Sequence, residues 1–168
     1  MRKKAAPVLI TGSFDPVTRG HEDIIRRVSE KFDRVRVTVF QSDTKVGMFP
    51  HECRLSFLRA VCAKFGNVEV DVDHGMVADY VKREGISLIV RAVRDPSDAL
   101  YEAEMAEFNR RASGVETLLL FADPTLRAVS SSAVRQGLRE GKDVSALLPT
   151  EIADDLKENW QKFSYFAE

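Results

Sequence analysis

The sequence predicts a doubly wound α/β domain, with a five-stranded, mostly parallel sheet and helices on both faces. Three observations carry this reading. Five short apolar runs alternate with stretches whose apolar residues recur at helical spacing. Several of those runs are near-continuous Val, Ile and Leu, the pattern of strands buried on both faces. The chain has 168 residues, 44% of them apolar and 30% charged, which suits one core and is too short for two ordinary domains. Residues 1–168 are therefore read as a single domain.

In chain order, "PVLITG" (7–12) is an apolar run closed by glycine, hence a first strand. "GHEDIIRRVSEKF" (20–32) repeats Ile24, Ile25, Val28 and Phe32 at helical spacing. "RVRVTVF" (34–40) alternates Val35, Val37 and Val39 as a second strand, and a polar stretch leads into a helix from His51 to about Phe65 with Leu55, Leu58 and Val61 on one face. "NVEVDV" (67–72) is a third strand and "MVADYVKREG" (76–85) a helix with glycine at its end. "SLIVRAV" (87–93) is a continuous apolar strand, followed by a helix over 97–113 and a fifth strand, "ETLLLFA" (116–122). A serine triplet opens a helix from Ser130 to about Glu140, and the last helix, 148–163, starts at Pro149 and Thr150. There is no internal repeat and no linker.

Composition narrows the function. Lys and Arg number 25 against 26 Asp and Glu, a net charge of −1 that gives no whole-surface attraction to polyanions, so no nucleic-acid partner is expected. The basic start is followed by an apolar run too short for a secretory segment, and no stretch reaches the roughly 20 apolar residues of a membrane span. Cys53 and Cys62 stand nine apart without a second pair, which indicates neither a disulfide framework nor a zinc site. A cytoplasmic protein without a membrane partner is the expectation.

In doubly wound sheets ligands bind beyond the carboxyl ends of the strands. Those ends are Gly12–His21, Gln41–Phe49, Arg91–Arg94 and Ala122–Ser132, and all four carry phosphate-compatible groups. Thr18 is placed to cap the helix whose first turn holds Gly20 and His21, where free N–H groups and the helix dipole favour an anion and glycine permits its close approach. His21, about one turn on from Thr18, is placed to donate to the same anion. Neither GxxxxGK[ST] nor GxGxxG is present, so the P-loop and dinucleotide readings have no support. On spacing alone, His21 reads equally as a polar helix residue, Lys45 as a solvated loop lysine, Glu102 as a helix-surface charge and Val77 as core packing.

"GSFDPVTRGH" resembles the T-x-G-H motif of the nucleotidyltransferase superfamily, and "SSSAVR" its serine-rich second motif. With "TKVGMF" and "VRAVRDPSDALYEAEMAEFNRR", in that order over almost the whole chain, the pattern resembles the bacterial phosphopantetheine adenylyltransferases, whose fold is Rossmann-like. That family converts ATP and 4′-phosphopantetheine into dephospho-coenzyme A and pyrophosphate, in the penultimate step of coenzyme A synthesis. The resemblance implies a catalytic set of His21, Lys45 and Arg94, with His21 stabilising the transition state. It implies ATP contacts from Ser13, Phe14 (by its backbone), His21, Ala92, Val93, Arg94, Glu102, Leu126, Arg127, Ala128, Val129, Ser130, Ser131 and Ser132. It implies phosphopantetheine contacts from Ser13, Lys45, Val77 and Arg91. The resemblance implies Mg²⁺ bridging ATP oxygens with few protein ligands of its own, and a homohexamer is the family's usual assembly.

Three positions depart from the family pattern: Ala92 replaces a glycine, Arg19 an asparagine, and Leu126 an aromatic residue frequent before the serines. They bear on efficiency and nucleotide preference. Arg91 and Arg94 differ in strand parity, so both reach one site only if the chain turns after Val93, as "RDPS" allows. Two other readings stay open: a cytidylyltransferase or nicotinate-mononucleotide adenylyltransferase of the same superfamily, and a non-catalytic adenine-nucleotide-binding module.

Overall fold

The computed structural model describes residues 5–40 and 47–163. Five strands, β1 (Val8–Gly12), β2 (Val35–Phe40), β3 (Val68–Asp73), β4 (Leu88–Val93) and β5 (Thr117–Phe121), form one sheet in the order β3-β2-β1-β4-β5. Every pairing is parallel. The chain winds outward from β1 to β3, then crosses back to lay β4 on the other side of β1. The strand order thus reverses between β1 and β4, and a crevice opens beyond their carboxyl ends.

Among the described residues six helices cover the sheet: α1 (Arg19–Ser29), α2 (His51–Cys62), α3 (Val77–Arg83), α4 (Pro96–Ser113), α5 (Ser131–Arg139) and α6 (Thr150–Phe163). The period-two alternation of β1 divides them. Val8 and Ile10 enter the larger core with Ile24 and Val28 of α1, Leu58 and Val61 of α2, Val134 and Leu138 of α5, and Ile152 and Leu156 of α6. Leu9 enters a smaller cluster with Tyr80 and Val81 of α3, Ile86 and Ile89. Helices therefore lie on both faces.

The elements start where their caps are. The Thr18 hydroxyl accepts from the His21 N–H at the start of α1, Asp95 caps α4 ahead of Pro96 in its first turn, and the Ser130 hydroxyl accepts from the Ala133 N–H at the start of α5. The ends fall short of the periodic pattern. α1 stops at Ser29 and α2 at Cys62, because Lys31 N–H turns to Val28 O and Phe65 N–H to Cys62 O, three-residue bonds that close the last turn. Phe32 and Phe65 still pack on the larger core from beyond the helix ends. Two short 3₁₀ turns, Pro124–Leu126 and Ser145–Leu147, interrupt stretches that sequence periodicity does not assign. Among the described residues no helix is long and apolar enough to cross a membrane.

Candidate active site

A cleft of about 320 Å³ opens at the crevice between β1 and β4. Its walls are Thr11, Gly12 and Ser13 at the end of β1, Thr18, Gly20 and His21 at the start of α1, and Arg91, Ala92 and Arg94 at the end of β4. Asp98 and Glu102 of α4, then Leu126, Val129, Ser130, Ser131, Ser132 and Arg135, complete it. Segments far apart in sequence converge because parallel strands carry all their carboxyl ends to one edge.

His21 is held by its own helix cap. Its Nδ1 accepts from the Thr18 backbone N–H at 3.0 Å and lies 3.1 Å from the Thr18 hydroxyl. A capping box ordinarily has Glu or Gln in this third helical position; here an imidazole does the work. With Nδ1 committed as an acceptor, the ring's proton resides on Nε2, which is left for the cleft. Burial, followed by the charges of Arg91 and Arg94, lowers the His21 pKa to about 4. The ring is therefore neutral at physiological pH and still donates. The buried Phe14 ring supports it from below, edge-on at 5.0 Å. Phe14 has a left-handed backbone, φ 44°, and its ring approaches Gly12 so closely that a Cβ there would stand 3.2 Å from it.

Arg91 reaches the cleft from β4 with most of its donors engaged. Nε and Nη2 form a bidentate pair with Glu102 at 2.8 and 2.7 Å, and Nη1 donates to both oxygens of Thr11. Glu102 is buried at 7% exposure, so its first partner is Arg91. Arg94, beyond the strand end, pairs with Asp98 at 2.8 Å and also lines the cleft. The turn after Val93 thus brings both arginines to one site in spite of their parity.

The three serines at the start of α5 have three different partners. Ser130 caps the helix, the Ser131 hydroxyl donates to Pro16 O at 2.8 Å, and the Ser132 hydroxyl accepts from Arg135 Nη2 at 3.1 Å. Ser131 and Ser132, whose backbone N–H groups a helix cannot satisfy internally, line the cleft.

Several expected site residues lie elsewhere. Phe14 and Val93 are buried and their side chains do not line the cleft, the contact expected of Phe14 being through its backbone, and Arg127 and Ala128 follow Leu126 without lining it. Val77 packs beside the smaller apolar cluster, with Phe40 and Val115. Lys45 lies outside the described residues. Conversely, Thr11, Asp98 and Arg135 line the cleft although sequence reasoning gives them no role. For Arg135 a signal exists: it ends "SSSAVR", one helical turn after Ser131 and Ser132, and so returns to their face. Among the described residues no group of three or more His, Cys, Asp or Glu side chains could hold a metal ion.

Residues 9–137 match a protein-family model described as cytidylyltransferase-like. The chain is 42% identical over 158 residues to a phosphopantetheine adenylyltransferase of Streptomyces coelicolor, spanning 94% of this chain and 97% of the relative. It is 39% identical over 148 residues to a phosphopantetheine adenylyltransferase of Clostridium perfringens, spanning 88% and 90%. Among solved structures, the lipopolysaccharide core biosynthesis protein from Thermoplasma volcanium superposes with a TM-score of 0.52 at 20% identity, over 70% of this chain and 96% of that one. That likeness concerns the fold.

Proposed function

The chain belongs to the phosphopantetheine adenylyltransferases, within the cytidylyltransferase-like family, and from that premise we propose how its cleft performs the reaction. The enzyme transfers the adenylyl group of ATP to 4′-phosphopantetheine, giving dephospho-coenzyme A and pyrophosphate, a step of coenzyme A synthesis.

The acceptor phosphate is already an anion and needs no general base. One of its oxygens forms a bond to the α-phosphorus of ATP as the bond from that phosphorus to the β-phosphate bridge breaks, and pyrophosphate departs with the electron pair. The protein's contribution is position and charge. The acceptor phosphate is assigned to Arg91 and to Lys45, and the α-phosphate to Ser13, the His21 Nε2–H and Arg94. The β- and γ-phosphates are assigned to the first turn of α5 with Ser132 and Arg135. The adenosine is assigned to the wall formed by Ala92, Leu126 and Val129. Mg²⁺ enters as part of the MgATP substrate; no protein-held site is proposed and no step rests on one.

The observation that carries this reading is His21 in the cleft wall, its Nδ1 held by the Thr18 N–H so that Nε2 is left to donate. A donor of this kind stabilises charge that grows on the phosphoryl oxygens without needing to exchange a proton. Pyrophosphate release with ATP and phosphopantetheine, far above that with CTP or with glycerol phosphate as acceptor, is the expected result. Release with CTP and glycerol phosphate instead returns the chain to the cytidylyltransferase reading, and ATP binding without release returns it to a nucleotide-binding module.

The pH behaviour follows from the same ring. A His21 pKa near 4 in the free enzyme means that kcat/KM has no limb from this residue at the ordinary histidine value of 6.5, only one descending towards pH 4. The folded state disfavours the protonated ring, so below pH 6.5 the unfolded chain binds the extra proton and stability falls. The contribution is complete above 6.5 and is lost as pH falls towards 4. A pH-rate profile for His21→Gln beside that of the parent enzyme checks the assignment, since only the parent's acid limb belongs to the imidazole.

A homo-oligomer, the hexamer implied by the resemblance, is also proposed. α4 is inverted: it buries Glu102 and Asn109 while exposing Leu100 (72%), Tyr101 (59%) and Phe108 (47%), next to Phe121 (68%) and Leu118 (43%) of the edge strand β5. An apolar patch beside an unpaired strand edge calls for cover, and a second copy of the chain is the cover proposed. In light scattering, Leu100→Asp with Phe108→Asp is expected to reduce the molar mass to that of a smaller species; an unchanged mass removes this face from the assembly.

A further inference from the structure

The mechanism leaves one buried charge unused. Asp15, in the turn between β1 and α1, is 5% exposed, and its carboxylate accepts from the backbone N–H groups of Met48 at 2.8 Å and Phe49 at 2.9 Å. Two guanidinium groups flank it. Arg54 of α2, itself 4% exposed, brings Nε to 3.3 Å from one carboxylate oxygen, and Arg135 of α5 brings Nη1 to 3.6 Å from the other. Each arginine also binds the chain it meets: Arg54 Nε donates to Phe49 O at 2.6 Å, and Arg135 Nη1 donates to Asp15 O at 2.6 Å. Gly47 lies against the cluster so tightly that a Cβ would stand 1.8 Å from Arg54 Nη2 and 2.7 Å from Asp15 Oδ2.

A buried ion pair is weak evidence for stability, since well-packed apolar residues of similar volume often serve as well or better. What this one does is geometric. Three stretches with no local reason to meet, Ser13–Asp15, Gly47–Phe49 and the first turn of α5, are tied at one carboxylate. Ser13, Ser132 and Arg135 are cleft walls. Gly47 follows Lys45 by two residues in the sequence.

We propose that Asp15 and Arg54 are positioning residues, which tie the Gly47–Phe49 stretch to the turn between β1 and α1 and thereby set the affinity for the phosphate-bearing acceptor. This rests on the adenylyltransferase reading given above. The Arg54 side of the clamp serves the acceptor, and the Arg135 side serves the ATP phosphates. The two sides can therefore be disturbed separately.

Gly47→Ala removes no charge: its Cβ collides first with Arg54 and also crowds Asp15 Oδ2, while Arg135 keeps its bond to the Asp15 backbone oxygen. It is expected to raise the KM for phosphopantetheine roughly tenfold, on the scale of one charged hydrogen bond lost, with the KM for ATP within about twofold. Asp15→Asn releases both sides and is expected to raise both constants. Arg54→Lys keeps the charge but loses the Nε contact to Phe49 O, and is expected to behave as a milder Gly47→Ala. A purely structural clamp would lower the unfolding midpoint in all three variants without separating the two KM values. That result, or equal changes in both constants for Gly47→Ala and Arg54→Lys, overturns the proposal. Amide hydrogen exchange at Met48 and Phe49 is read in parallel and needs no substrate. If the parent enzyme fails to use phosphopantetheine, the functional reading falls; unchanged exchange at these two amides in Asp15→Asn or Gly47→Ala overturns the clamp itself.

Discussion

His21→Ala lowers kcat by roughly 10²–10³ and leaves both KM values within about threefold, the signature of a contact made chiefly in the transition state. The expectation comes from what the ring meets. In the ground state the α-phosphate carries its charge among other donors, namely Arg94, the cap of α1 and whatever cation accompanies the ATP. As the acceptor oxygen closes on the phosphorus, charge shifts onto the oxygens His21 faces, and a donor held in place gains most at that moment. The Thr18 N–H on Nδ1 fixes the ring without occupying the nitrogen that acts. Thr18→Val keeps the backbone N–H and loses the hydroxyl, so it is expected to cost much less than His21→Ala. Steady-state kinetics with calorimetric ATP binding separate the possibilities. If His21→Ala binds ATP far more weakly yet turns over normally at saturation, the ring is a ground-state binder.

Arg91→Met has two effects of different origin. It removes a cation from the assigned acceptor phosphate, and the KM for phosphopantetheine is expected to rise about 10- to 100-fold, the range for a hydrogen bond to a charged group. It also strands Glu102, which is buried and bonded to Arg91 through both of its oxygens. Leaving a buried carboxylate unpaired costs about 3 kcal/mol, the lower end for such pairs because Arg91 itself is partly exposed. Arg91→Met/Glu102→Gln is then expected to recover most of the stability and none of the affinity. Urea unfolding beside the kinetics decides it. A single variant as stable as the parent refutes the pairing argument, and a double variant with normal KM refutes the role in acceptor binding.

Much of this molecule was legible in its sequence, for identifiable reasons. The central strands β2, β1 and β4 are apolar runs that hold the buried positions of the sheet, while the less buried edge strands β3 and β5 still show as short apolar runs, so no tertiary contact had to be known to place them. Thr18 and Ser130 act locally at helix starts, and they read so; Asp95 caps α4, where the sequence shows only a turn and a helix from Ser97. The convergence of Arg91 and Arg94 required only strand parity and the turn at "RDPS". What the sequence hid is long-range or atypical. The pairing of Arg91 with Glu102 joins a strand to the helix packed beside it and has no signature along the chain; a helix-surface carboxylate looks the same. Asp15 is bonded to amides 33 and 34 residues away. The Thr18–His21 box escapes the usual template because histidine replaces the expected Glu or Gln. The inverted face of α4 hides too, since its apolar residues keep helical spacing whichever side they cover.

Every role given to His21 requires a neutral ring with its proton on Nε2. Nitrogen-15 NMR of the imidazole, followed from pH 5 to 8, reads both properties at once. The expected result is a protonated Nε2, an unprotonated Nδ1 and no titration across that range, in keeping with a pKa near 4. A midpoint near 6.5, or a proton on Nδ1, would contradict it and leave the cleft without its preorganised donor.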